Sequence, residues 1–284
     1  MIEIKEVQSM IKLRSIVKII KGIKTQDGAG VNLTRIIAGP DLNMLDPFLL
    51  LDEFGSDNPN DYLGGFPPHP HRGFETITYM LNGKFRHKDT AGNEGYLSDG
   101  SVQWMTAGKG IVHSEMPEQT KGLVRGFQLW LNLPKNKKMI EPAYNDIPAG
   151  DIPIVKITGG DVKIISGDFL NVKGPGKPHT GMSYFDIRLD KNATFSAPIK
   201  ENWNCFIYVY EGELFSHEKI EKGNLAVMNT LGDLETISKK DNTRFLLVAG
   251  APLNEPVARG GPFVMNTKAE ILQAFEDYQM GRLG

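Results

Sequence analysis

The chain has 284 residues, 40% of them hydrophobic, which is enough for two compact domains with cores of their own. A formal charge of −2 with no run of five basic residues argues against direct nucleic-acid binding, and the densest basic patch (Lys135, Lys137 and Lys138) reads as a solvated loop. A single cysteine, Cys205, excludes an internal disulfide or a thiolate-rich metal site; with no apolar run near the ~18 residues of a membrane span, and no signal-peptide core in 1–24, a cytoplasmic protein is expected.

The 31 glycines and 17 prolines favour many short strands separated by turns. In chain order, 46–54 is an apolar run broken by Pro47. Residues 74–80 are rich in β-branched and aromatic side chains and close at Asn82-Gly83, a hairpin signal. Turns follow at 89–93 and at Ser98-Asp99-Gly100, then a strand at 102–105 and another apolar run at 124–133. A helical pattern stands out only near the C-terminus. There Thr267-Lys268-Ala269-Glu270 fits a capping box, and Ile271, Leu272, Phe275 and Tyr278 make an apolar stripe.

Four of the six histidines fall within 67–117, and three of them sit in metal-ligand patterns. His69-Pro70-His71 and His113-Ser114-Glu115 are each spaced i, i+2, which on a strand puts both side chains on one face, about 6.6 Å apart. Side chains at that spacing can converge on one ion held about 2.1 Å from each ring nitrogen. Two such strands offer three nitrogens and one carboxylate oxygen, a set suited to Fe, Mn, Co or Ni that leaves two octahedral positions open for substrate and O₂. Glu75 shares nominal strand parity with His69 and His71, so parity does not exclude it as the carboxylate ligand. His87 precedes the 89–93 turn and is expected to bond loop backbone; His179 and His217 read as surface or turn residues. Trp104, Met105, Phe127 and Leu129 fit either an apolar wall over the metal or ordinary core. Lys109, between two glycines, is a loop cation near a substrate or a plain turn residue.

A weak internal repeat points to two copies of one β-barrel motif. Residues 77–85 align with 206–214, Gly212 replacing Gly83, and Phe127-Gln128-Leu129 echoes Phe245-Leu246-Leu247. Carrying the first histidine pair across by the glycine offset lands on Pro198 and Lys200, so the second copy is expected to have lost the metal site.

These segments resemble the cupin motifs: His69-x-His71, three residues, Glu75 and later Gly83, then Gly108-x-Gly110-x-x-His113, with Gly108 where many cupins have proline. More closely, Leu45-Asp46-Pro47-Phe48-Leu49-Leu50, His69-Pro70-His71-Arg72-Gly73-Phe74-Glu75-Thr76, Gly110-Ile111-Val112-His113-Ser114-Glu115-Met116-Pro117 and Gly261-Pro262-Phe263-Val264-Met265-Asn266-Thr267 resemble the pirins, two-barrel members of the cupins. The resemblance implies one mononuclear metal held by His69, His71, His113 and Glu115, usually iron, with Mn, Co, Ni or Zn as alternatives. Glu75 is then left outside the ligand set, orienting a histidine. It also implies a quercetin 2,3-dioxygenase-type oxidoreductase that opens the heterocycle of flavonols with O₂, Glu115 or Glu75 accepting the substrate's hydroxyl proton. The alternative is a metal- or redox-sensing regulator acting through a protein partner without turnover, the role for which eukaryotic pirins are known. The expected fold is all-β: two tandem cupin (jelly-roll) barrels with a short C-terminal helix. Its expected parts are a metal-binding cupin domain over 1–134, a linker over 135–160 and a degenerate cupin domain over 161–284.

Overall fold

The computed structural model describes residues 12–283, so the reading of 1–24 lies partly outside it. β1 (Ile16–Lys21) opens the described chain but joins the more distant of two barrels. The nearer barrel is built from β2 (Ile23–Asp27), β3 (Val31–Ile37), β4 (Phe48–Ser56), β5 (Phe66–His71), β6 (Phe74–Asn82), β7 (Phe85–Asp89), β8 (Glu94–Leu97), β9 (Val102–Thr106), β10 (Ile111–Pro117), β11 (Val124–Asn132) and β12 (Ala143–Ile147). Its strands form a seven-stranded sheet, β12-β9-β6-β11-β4-β3-β2, and a four-stranded sheet, β5-β10-β7-β8.

The distant barrel contains β13 (Ile154–Ile157), β14 (Gly160–Ser166), a small ribbon of β15 (Asp168–Phe169) and β16 (Val172–Lys173), β17 (Met182–Leu189), β18 (Thr194–Ala197), β19 (Asn204–Glu211), β20 (Glu213–Ser216), β21 (Glu218–Glu221), β22 (Asn224–Met228), β23 (Leu234–Ser238) and β24 (Thr243–Gly250). Its sheets run β1-β22-β19-β24-β17-β14-β13 and β18-β23-β20-β21, repeating the first pattern. β6 and β11 thus correspond to β19 and β24, as the repeat implied. β12 and β1 take the same edge position in the two barrels. The stretch expected as a linker supplies one strand to each barrel, β12 and β13, each at an edge of its large sheet.

Alternation along the strands explains how the barrels pack. On β6, Ile77 and Tyr79 face outward, joining Trp104, Phe127 and Leu129 against Tyr184, Phe206, Tyr208 and Leu246 of the other barrel. These side chains form the core between the two large sheets. The distant barrel is filled with apolar residues, among them Ile164, Phe185, Phe195, Ile207, Leu214 and Phe245. Cys205 is buried there, with its thiol pushed up to about 12 by desolvation, which leaves it an inert group. The nearer barrel has a smaller interior cluster around Leu33, Phe54, Met80 and Phe85, which leaves room for polar side chains.

Asn82-Gly83 does not close a hairpin. It carries the chain from the large sheet to the small one, since β6 and β7 lie in different sheets; Ser98-Asp99-Gly100 makes the return crossing. Of the three turns read from the sequence, 89–93 alone closes a hairpin, β7 with β8.

The chain ends change places. Next to β1, the buried Arg14 donates to the carbonyls of Lys200, Trp203, Asn229, Thr230 and Gly232, all in the distant barrel. The C-terminal segment, with β25 (Ala258–Gly260), β26 (Phe263–Met265) and α1 (Lys268–Gln279), returns to the nearer barrel. There Val264 N–H donates to Arg72 O, and Arg72 pairs with Asp277 at 2.8 Å. Lys138, expected as solvated, is buried and donates from Nζ to Gly73 O, Asn132 Oδ1 and Val264 O at 2.7–2.9 Å. Helix α1 carries the expected capping box but buries only Ile271 and Ala274, leaving Leu272 70% exposed on another face.

Candidate metal centre

β5 and β10 are hydrogen-bonded neighbours in the small sheet, so the two histidine motifs lie side by side rather than across the barrel. His113 is paired with His69, and Ile111 with His71. The period-2 spacing then sends His69, His71 and His113 to one face, the barrel interior. One ring nitrogen from each lies within 4.8 Å of the others, the one cluster of three potential ligands among the described residues.

Hydrogen bonding sets which nitrogen each ring offers. His69 Nδ1 is 2.8 Å from Pro67 O and His71 Nδ1 is 3.4 Å from Pro262 O, so both donate and leave Nε2 with its lone pair free. His113 Nδ1 is 3.3 Å from His87 Nδ1, and His113 Nε2 is buried with no partner. An orphaned imidazole nitrogen beside two other rings is costly unless something binds it. Burial holds His71 and His113 well below the ordinary imidazole range, reinforced by their histidine neighbours. They are therefore neutral at pH 7, the form that binds a metal, and the three residues fit a first-row ion.

Glu115, two residues along β10, is 5% exposed and opposite His87 rather than within the three-histidine cluster. Its Oε1 accepts a 3.0 Å bond from Thr78, whose hydroxyl oxygen is 2.5 Å from Gln128. That contact leaves Oε2 free.

Glu75 goes elsewhere. The break at Gly73, held at φ +91° where a Cβ would meet Val264 O at 2.0 Å, resets the alternation between β5 and β6. Glu75 therefore points at the other barrel, fully buried, accepting from Thr106 Oγ1 (2.8 Å), His179 N–H (3.1 Å) and His179 Nδ1 (2.8 Å). It does orient a histidine, but His179, which is a contact between the barrels and not a free surface residue. His87 also departs from expectation: it is buried behind His113, against the Tyr144 ring at 4.6 Å, not bonded to loop backbone. Lys109 is a turn residue paired with Glu141 at 2.8 Å.

His69, His71 and Glu115 line a cavity of about 750 Å³. Its apolar wall includes Leu33, Leu50, Phe54, Phe66, Phe85 and Trp130. Trp104, Phe127 and Leu129 lie in the core between the barrels, and Met105 packs with Ala107 and Ile111. On β11 it is Gln128 and Trp130 that face inward, one residue out of phase with the expected wall. Charged groups complete the lining: Asp27, Asp52, Arg35 and Arg259. Sequence reasoning missed all of these, and the available signal was the alternation of Thr78 with Tyr79 and of Gln128 with Phe127.

Comparison with known proteins agrees with this geometry. The pirin family matches residues 30–131, and the pirin C-terminal cupin domain matches 184–284. The chain is 48% identical over 274 residues to a pirin-like protein of Caulobacter vibrioides, covering 95% of this chain and 99% of that one. The chain belongs to the pirin family. It is also 43% identical to the pirin of Homo sapiens, over 91% of this chain and 90% of that protein. Among solved structures, a quercetin 2,3-dioxygenase from Acinetobacter baumannii superposes with a TM-score of 0.89 at 32% identity, covering 96% of this pirin and 99% of that chain. A bicupin fold and a histidine cluster able to hold a metal are thus features of this pirin. No helix among its described residues is long and apolar enough to cross a membrane.

Proposed function

We propose that this pirin is a metal-dependent dioxygenase that opens the heterocycle of a flavonol-like aromatic enol with O₂. In this reading His69, His71, His113 and Glu115 hold one first-row metal, most simply iron. The observation that carries it is the convergence of three imidazoles, two of them (His69 and His71) on the wall of a cavity of about 750 Å³, within the size range of sites that enclose drug-sized ligands. A closed, shallow site would have suited a metal sensor without turnover. Likeness to a quercetin 2,3-dioxygenase structure supports the choice of reaction.

The bound metal would supply the Lewis acidity that ionises a substrate hydroxyl and the redox capacity needed for O₂. The chain's own residues do the rest. Pro67 O and Pro262 O fix the tautomers of His69 and His71. Thr78 holds one oxygen of Glu115, leaving the other to bind the metal or to take the hydroxyl proton. The apolar wall excludes water from the flat face of the substrate.

The test is oxygen uptake by metal-loaded protein over a flavonol panel, against a metal-free control and the His71→Ala and Glu115→Ala variants. His113→Ala is expected to retain the fold and lose stoichiometric metal. Flavonol consumption that depends on metal and is lost in both other variants supports the reading. No consumption above the control, with a protein partner captured only by the metal-loaded form, replaces it with a regulatory role.

A further inference from the structure

We infer that Arg259 is a recognition residue for a second ionised oxygen of the substrate, so that the cavity prefers aromatic enols bearing a carboxylate or phenolate remote from the histidines. The inference rests on the functional reading above and names the substrate class for the same cavity.

Arg259 arrives on β25, from the C-terminal segment rather than from the barrel whose cavity it lines. Its guanidinium lies 5.1 Å from the centroid of Trp130, a side chain that also packs on Phe74 (4.3 Å) and His71 (5.2 Å). The Trp130 ring thus lies against both this cation and His71. Nη1 donates to Leu49 O at 3.1 Å, which anchors one arm of the fork. The Nε–Nη2 edge, the edge that binds carboxylates in bidentate fashion, has no partner among the described residues.

The other charges of the cavity are already engaged. Arg35 takes both oxygens of Asp52 (3.0 and 2.8 Å) and one of Asp27 (2.8 Å), and Glu115 is bound by Thr78. Arg259 is exposed and forms no ion pair within 4 Å among the described residues; partial desolvation and the nearby Arg35 disfavour its charge, and Asp52 favours it. A cation stacked on Trp130, solvent-exposed where it lines the cavity and with its carboxylate-binding edge free, is complementary to an anion entering the cavity.

The experiment compares two ligand pairs that differ only by a carboxylate: 3-hydroxyflavone with its 4′-carboxy analogue, and catechol with 3,4-dihydroxybenzoate. Dissociation constants are measured by fluorescence or calorimetry on nickel-loaded full-length protein, for wild type, Arg259→Gln and Arg259→Lys. The carboxylate is expected to improve binding to wild type by about tenfold, as a charge-assisted bond would. Arg259→Gln should remove that preference while changing the parent ligand by less than about threefold, and Arg259→Lys should keep part of it. Absence of a preference in both pairs overturns the inference. So does an equal loss for charged and neutral ligands in Arg259→Gln, which would make Arg259 a piece of wall. If no flavone binds but the catechol pair shows the preference and loses it in Arg259→Gln, the flavonol reading fails and the assignment of Arg259 stands.

Discussion

Thr78 ties the candidate metal carboxylate to the barrel wall, and it does so with one hydroxyl. Thr78→Val removes that donor at nearly constant shape, so the fold should persist while Glu115 loses its orientation. Metal affinity measured by chelator competition is expected to fall about 10–100-fold, the usual effect of deleting a group that orients a ligand. An unchanged dissociation constant would show that Glu115 is not held through Thr78. The buried histidines add a pH dependence. In the metal-free protein His71 and His113 have values below that of the unfolded chain, so the stability they contribute is present above about pH 6.5 and is lost as pH falls below it. Denaturant midpoints of the metal-free protein should therefore drop between pH 7.5 and 5.5, and less steeply in His71→Asn. Equal slopes in the two proteins would contradict the assignment.

Among the elements, two buried cations fasten exchanged chain ends, each onto a different barrel. Arg14→Met removes a donor from five carbonyls of the distant barrel, of which Lys200 O and Thr230 O keep a backbone N–H, and Lys138→Met removes the donor at Gly73, Asn132 and Val264. Each variant should lose about 3 kcal/mol or more in denaturant unfolding, because unsatisfied buried acceptors cost about 1–3 kcal/mol apiece. Only Lys138→Met should also weaken metal binding, since Gly73 begins two residues after His71. The reverse pattern would mean that the clamps are not local. Neither clamp was legible in the sequence, where Lys138 sits in a run that looks solvated and Arg14 in a segment with no strong pattern. What could be read was local: the two i, i+2 motifs, the capping box and the 89–93 turn. What could not be read depended on partners distant in sequence. Glu75 has the parity of a ligand until Gly73 resets it, Asn82-Gly83 has hairpin chemistry but crosses between sheets, and Phe127 and Trp130 are equally apolar on opposite faces of one strand. His179 gains a role only when the second barrel brings it to Glu75.

Across the whole molecule, one barrel has its interior filled with apolar side chains while its counterpart keeps a polar, cavity-forming interior. The filled barrel supplies a rigid backing through the core shared by the large sheets. Each barrel is completed by the other's end of the chain, β1 in one case and β25, β26 and α1 in the other. Such interlocking predicts a single cooperative unfolding transition, in which a ligand of one barrel stabilises both. A metal bound only by the folded state adds RT ln(1 + [L]/Kd), about 2.7 kcal/mol when free metal exceeds Kd a hundredfold. For a chain of this size about 2–4 °C of melting temperature corresponds to each kcal/mol, so verified metal removal should lower Tm by roughly 5–10 °C. Scanning calorimetry of metal-loaded and chelated protein should show one peak that moves as a whole, and His113→Ala should show no shift on chelation. An unmoved peak after metal removal would mean that the site is weak or satisfied without an ion. Two peaks, of which only one moves, would mean that the exchanged chain ends do not couple the barrels.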